Sequence, residues 1–264
     1  MKNNTFKPFE DKELESYVMQ ESQKNEKEIF PIEYNNEKYW VKKGRKTASN
    51  LFHHLCYKLL PFEFLIPVVS KSEEEAVLFE SNKLISFKEK GLNTPEVVGS
   101  NSSLFVMCDC GMQVYVYLRK QDVKGEEFHY YLDKYIQEVA KIHNVGLFHG
   151  GAQSRNFTYS QEKVYAIDLE DSFEHSVDIE TLQFRDLLLL LLSMTKVDNF
   201  EFSYSDIINK YIEYTKNDDF VSKLKILARK LNFLVRMNSV SWIHNLLPRD
   251  VKGFCYLLKS LQEL

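Results

Sequence analysis

The stretch Leu147-Phe148-His149-Gly150-Gly151-Ala152-Gln153-Ser154-Arg155-Asn156-Phe157 and the later run Ile167-Asp168-Leu169-Glu170 hold the residue types that handle metal and phosphate. Asn156 and Asp168 offer hard oxygen ligands of the kind Mg²⁺ accepts, and Mg²⁺ takes few protein ligands because phosphates and water complete its octahedron. Glu170 and Asp171 extend Asp168 into a dense acidic cluster, so Glu170 is a candidate for a second metal or for accepting a proton. Arg155 sets a cation beside Asn156, suited to a phosphate or an anionic acceptor. Upstream, Lys42 ends the apolar run Tyr39-Trp40-Val41, and its compact ammonium suits a phosphate. Lys43 is the alternative, because a one-residue slip in a strand sends the side chain to the opposite face.

These groups need elements to hold them. Glu28 to Tyr34 and Lys38 to Lys43 alternate as two strands joined by Asn35-Asn36, a pair that tolerates the left-handed backbone of a tight hairpin. A helix is expected between Thr47 and Leu60, capped at Ser49 or Asn50 and broken by Pro61 and Pro67. A long helix is expected from Glu73 to Lys90, with Ala76, Phe79, Leu84 and Phe87 inward and Gly91 as its C-cap. Strands follow near Thr94 to Val98 and Ser103 to Cys108, and Asp109-Cys110-Gly111 reads as a connector loosened by its glycine. Beyond it the pattern is helical: Tyr131 to Asn144, Thr181 to Met194, Tyr204 to Tyr214, Asp219 to Asn238 and Arg249 to Glu263. Residues 1–27, polar and poor in anchoring side chains, read as a partly ordered arm or a short surface helix.

A helix entering His149-Gly150, a loop ending at Asn156 and a strand delivering Asp168 together resemble the active site of protein-kinase-like phosphotransferases. The resemblance implies an α+β fold of two lobes, a small mixed β-sheet lobe with one long helix and a larger, mainly helical lobe. Residues 28–110 would form the nucleotide-binding lobe, and 111–264 the helical lobe with the catalytic loop and metal motif. It implies ATP and Mg²⁺ as cofactors, with Asn156 and Asp168 on the metal and Lys42 on the phosphates. Glu80 would orient Lys42, and is preferred to Glu73, Glu74 and Glu75, which lie where acids simply favour a helix N-terminus. His149 would support the loop structurally, and Asp186 in Phe184-Arg185-Asp186-Leu187-Leu188 would brace it from below.

Three departures bear on catalysis. No glycine precedes Gly44, so the glycine-rich phosphate loop is absent. Gly151 stands where such enzymes carry the Asp that accepts the substrate proton, and Glu170 replaces the glycine of the metal motif. The pattern is similar to a divergent bacterial branch near the lipopolysaccharide-core sugar kinases and the Bud32-like and RIO-like kinases. That implies phosphoryl transfer to a hydroxyl of a sugar, lipid-linked glycan or protein, with Glu170 and Arg155 as candidate catalytic groups. The alternative is a pseudokinase-like nucleotide-binding or scaffold protein.

Across 264 residues, 34 Lys plus Arg against 38 Asp plus Glu leave a net charge of -4, so no general drive toward nucleic acid is expected. Four cysteines without CxxC pairs fit a reducing compartment. The polar start carries no secretory signal, and the expected location is cytoplasmic. A basic run (Lys42, Lys43, Arg45, Lys46) followed by apolar residues from Leu51 to Ile66 raises peripheral membrane or lipid-linked contact as a further expectation. A solvated helix face is the plainer reading of that run.

Overall fold

Asn35 and Asn36 both take left-handed backbone, φ 52 and 61, and close a hairpin between β1 (Ile29–Tyr34) and β2 (Glu37–Lys43). Strand twist favours this kind of two-residue turn, and asparagine bears its positive φ at low cost. The computed structural model describes residues 5–47, 66–120, 125–197, 200–240, 245–247 and 249–264. The helix expected between Thr47 and Leu60, with its cap at Ser49 or Asn50 and its stop at Pro61, lies outside the described residues apart from Thr47.

By spatial proximity the chain falls into two compact units. The first comprises Met1–Met112, His149–Gly151 and Thr158–Asp178; the second comprises Gln113–Phe148, Ala152–Phe157 and Ile179–Leu264.

The first unit is built on an antiparallel sheet ordered β1-β2-β4-β3, with β3 at Val97–Ser100 and β4 at Leu104–Cys108. Val41 pairs with Val106 and Lys42 with Phe105, so neighbouring β2 side chains go to opposite faces. One face is closed by α1 (Lys12–Lys24), whose Leu14 and Val18 are buried with Phe9, Phe30, Ile32, Val41, Leu104 and Val106. Of the two readings of the amino-terminal segment, the helix is found, and it is packed into the core: Asp11 caps it through the amides of Glu13 and Leu14, and Tyr17 stacks on Tyr34.

The long helix α2 (Glu73–Glu89) starts at a capping box in which Ser72 and Glu75 satisfy each other's backbone amides. It ends at Gly91, φ 78, where the Gly91 and Leu92 amides bond back to Lys88 and Phe87 in a Schellman motif. Its buried residues include Ala76, Leu84 and Phe87 as expected, but also Glu80 and Lys83, while Phe79 is only partly covered. In the connector Gly111 serves a left-handed backbone, φ 83, and a close approach. Asp109 accepts from the Trp40 indole at 2.6 Å and from the Gly111 amide, and a Cβ on Gly111 would sit 2.2 Å from the Tyr159 carbonyl oxygen.

A second sheet is ordered β5-β6-β7, from Met112–Gln113, Phe157–Ser160 and Lys163–Ala166. β6 and β7 are joined by Gln161 and Glu162 in left-handed backbone. The helices of the second unit are α3 (Val114–Arg119), α4 (Gly125–Asn144), α5 (Ile179–Met194), α6 (Tyr204–Thr215), α7 (Asp219–Lys230), α8 (Asn232–Asn238) and α9 (Arg249–Gln262). Tyr135, Ile136 and Val139 of α4 are fully buried, as are Leu187, Leu188, Leu190 and Leu191 of α5. The single helix expected over Asp219 to Asn238 is broken at Leu231, and α3 was not expected at all. Among the described residues, no helix is long and apolar enough to cross a membrane.

Candidate active site

Because β2 alternates, Lys42 leaves the sheet on the face opposite the Val41 core and is 6% exposed. Burying an ammonium is costly unless it is paired, and Lys42 is paired several times over. Its Nζ lies 2.8 Å from Glu80 Oε2, 2.6 Å from Asp168 Oδ1 and 3.6 Å from Glu170 Oε2. Lys43 points the other way, donating to the Asn25 carbonyl and lying over the Phe30 ring. Of the two register candidates, Lys42 is the one that meets the acidic motif.

Glu80 comes from the middle of α2, where its side chain is 4% exposed. Its carboxyl is pushed up to about 7: burial raises it, the negative charges of Asp168 and Glu170 add to this, and Lys42 opposes them. Burial disfavours the Lys42 cation, yet Glu80, Asp168 and Glu170 outweigh this and raise it above the ordinary lysine range. Burial also acts to raise Asp168, but the charge and hydrogen bond of Lys42, with His149 and Arg45, hold it below the usual aspartate value. The pair is thus a firmly charged lysine facing one ionised and one reluctantly ionised carboxylate.

Asp168 follows β7 and has φ 59, left-handed for a residue with a side chain. Such backbone is held only where its surroundings impose it, and it clusters at functional sites. Oxygens of Glu80, Asp168 and Glu170 come within 4.8 Å of one another. Glu80 is closed in with Lys42, whereas Asp168 and Glu170, with 37% and 22% side-chain exposure, also reach solvent and have a second oxygen to offer a divalent cation. Arg45 bonds Glu170 at 3.0 Å and Glu28 at 3.3 Å.

The basic run proposed for membrane contact is largely engaged inside the first unit, through Lys42, Lys43 and Arg45. The apolar residues from Leu51 to Leu65 lie outside the described residues.

His149 is fully buried, and its Nδ1 accepts from the Gly151 amide at 3.2 Å, which in a neutral ring assigns the proton to Nε2. Gly150 has φ 100, and a Cβ there would lie 2.8 Å from Asp171 Cβ, so only glycine lets this turn pass the metal motif. Two lysines that sequence reading missed brace the same turn. Buried Lys83 donates to the His149 carbonyl at 2.8 Å and the Asp171 carbonyl at 3.2 Å. Lys71 bonds Ser172 Oγ at 2.7 Å and lies 4.6 Å over the Phe79 ring; burial lowers its ammonium against the raising influence of Asp171 and Glu170. The available signal was Lys83 three residues after Glu80, on the apolar side of the helix.

Asn156, Arg155 and Asp186 belong to the second unit. Asn156 ends the short 3-10 turn Ser154–Asn156, closed by its amide on the Gln153 carbonyl. Ala152 just before it is pinned by Tyr135, whose hydroxyl donates to its carbonyl at 2.6 Å. Asp186, fully buried on α5, faces His143 Nε2 at 3.4 Å, while His143 Nδ1 meets the Tyr211 hydroxyl at 2.7 Å. α4 ends at a second Schellman motif, with the Gly146 and Leu147 amides bonding to His143 and Ile142, and Gln183 holds the His143 and Leu147 carbonyls.

A family model for the RIO domain matches residues 69–205, more than half of the chain. The chain belongs to the RIO domain family. The match contains Glu80, His149, Arg155, Asn156, Asp168, Glu170 and Asp186; Lys42 precedes it. The chain is similar to the KEOPS complex subunit Bud32 of Pyrococcus abyssi, 24% identical over 196 residues that cover 68% of this chain and 82% of that protein. It is also similar to an uncharacterized protein of Haemophilus influenzae, 22% identical over 243 residues, 89% and 87% of the two chains. Among solved structures, WaaP in complex with acyl carrier protein matches with a TM-score of 0.52 and 11% identity, covering 95% of this chain and 99% of WaaP. At that identity the likeness is one of fold. The α+β kinase-like fold and the divergent kinase-like family expected from the loop and metal motifs are the ones found.

Proposed function

We propose that the chain is a phosphotransferase that uses ATP and Mg²⁺ and passes a phosphoryl group to a hydroxyl of a sugar, lipid-linked glycan or protein. The observation that supports this most is Lys42 held between Glu80 at 2.8 Å and Asp168 at 2.6 Å, since a buried, doubly restrained ammonium is a fixed charge for phosphate. Bound Mg²⁺ would neutralise charge on the phosphates, with Asp168 and Asn156 as its protein ligands. In this reading Glu80 keeps Lys42 oriented, His149, Lys83 and Asp186 support the loops, and Arg155 meets the acceptor. Glu170 is the carboxylate assigned to take the hydroxyl proton as a base, Gly151 having no side chain to do so. Phosphoryl transfer depends mainly on positioning and charge, so the loss of an acid at Gly151 is compatible with turnover. The cytoplasm, where ATP is available, is the proposed location.

Gly151 favours a second reading: nucleotide binding without transfer. Incubating the full chain with γ-labelled ATP, Mg²⁺ and a panel of hydroxyl acceptors separates the two. Label transfer that falls at least about 100-fold in Lys42→Met and Asp168→Ala, the scale of removing a key electrostatic group, is expected. ATP binding without transfer to any acceptor would favour the second reading, and full turnover by Asp168→Ala would remove the metal assignment.

A further inference from the structure

The second unit contains two cavities of opposite character. One, of about 310 Å³, is walled by Asp133, Asp206 and Glu213, and its Lys210 is bonded to Asp133 at 2.5 Å. The other, of about 510 Å³, lies on Arg155, Lys196, Gln113, Gln153, Ser193 and Thr195. Among the described residues that line this second cavity, none carries a carboxylate and Leu192 is the one aliphatic side chain. Ser154 and Tyr115 also line it, and the Tyr115 hydroxyl accepts a hydrogen bond from Arg119.

The wall is built and not merely left open. Tyr135 anchors the loop that carries Gln153 to Arg155 through the Ala152 carbonyl. Gly253 of α9 packs so closely on Thr195 that a Cβ there would fall 2.8 Å from Thr195 Oγ1. The hydroxyls of Ser193 and Thr195 donate to the Leu190 and Leu192 carbonyls, each at 2.8 Å, which fixes their side chains in the wall. Arginine presents a planar fork that binds phosphate or carboxylate through two hydrogen bonds, and amides and hydroxyl oxygens suit a ligand rich in hydroxyls. A volume near 500 Å³ holds a small molecule, whereas an apolar peptide side chain would find one aliphatic contact. Arg155 shares the short turn Ser154–Asn156 with Asn156, a candidate metal ligand, and is its neighbour in sequence.

We propose that this cavity is the acceptor pocket, and that the acceptor is a small polyhydroxylated molecule carrying a phosphate or carboxylate, of the sugar phosphate or sugar acid class. The assignment as acceptor rests on the phosphotransferase reading above. The test is calorimetric titration of the full chain with glucose 6-phosphate, glucuronate, glucose and a phosphoserine peptide, for wild type, Arg155→Gln, Lys196→Gln and Arg155→Lys, with ATP plus Mg²⁺ titrated in parallel. The two anionic sugars should bind at least tenfold more tightly than glucose. Both glutamine variants should lose that margin, and Arg155→Lys should keep part of it while ATP affinity is unchanged. Equal binding of glucose and the anionic sugars, equal binding by the Arg155→Gln chain, or tighter binding of the phosphopeptide would each overturn the pocket, whatever ATP does. Anionic-sugar binding by a chain that ignores ATP would instead remove the phosphotransferase reading, and with it the acceptor assignment.

Discussion

Each unit contains a buried polar cluster, and the two differ in how they meet water. In the second unit His143, Asp186 and Tyr211 are sealed: the His143 and Asp186 side chains are 3% and 0% exposed, and each ring nitrogen of His143 has its own partner. In the first unit Lys42 and Glu80 are equally buried, but they open onto Asp168 and Glu170, which keep exposed oxygen. A sealed, mutually satisfied network holds a fold together, whereas one that ends in exposed carboxylates can exchange a partner for a ligand. Asp168, left-handed although it carries a side chain, belongs to the unit with the open cluster, whereas the left-handed Lys216 of the second unit only caps a helix.

Variants can break or sharpen that contrast. Asp186→Ala should cost the most stability, about 3 kcal/mol by urea unfolding, because it leaves the buried Nε2 of His143 without its partner. A loss under 1 kcal/mol would mean the sealed cluster is not structural.

Lys42→Met should cost somewhat less, about 2–3 kcal/mol at pH 8, because Glu80 can neutralise itself by taking a proton. The sign follows from Glu80, whose folded value near 7 exceeds its ordinary 4.5. Between these values the native state holds a proton that the unfolded chain has lost, so the Glu80 contribution destabilises increasingly as pH rises. Removing Lys42 raises Glu80 further, and the gap between wild type and variant should widen from pH 5 to pH 8. A urea midpoint difference that stays constant over that range would contradict the coupling.

Gly150→Ala should follow at about 1–3 kcal/mol, from the positive φ and the approach to Asp171. Differential scanning calorimetry would show it as a lowered Tm. Lys223→Ala, which removes the exposed pair with Glu180, should change stability by less than about 1 kcal/mol and is the control for surface charge.

Much of the frame was legible because local signals agreed: Asn35-Asn36 for the hairpin, Gly91 for the end of α2, and the spacing from His149 to Asp168 for the kinase-like family. What escaped has physical reasons. Val114–Arg119 alternates like a strand but is helical, because Val114 and Leu118, one turn apart, are both buried. α1 presents few apolar residues, yet Leu14 and Val18 suffice once the sheet offers them a face. Lys83 and Lys71 look like solvated cations until the fold brings carbonyl and hydroxyl oxygens to them. The break at Leu231 carries no proline or glycine to announce it.

The most direct test of the central claim, that the open cluster of the first unit is a nucleotide and metal site, is thermal unfolding of wild type and Asp168→Ala with and without ATP plus Mg²⁺. A ligand that binds the native state must raise its Tm, by about 2.7 kcal/mol of stabilisation at a hundredfold excess over Kd. A metal-dependent rise is expected in wild type and its absence in Asp168→Ala. An equal rise in both proteins, or none in wild type at millimolar ATP, would contradict it.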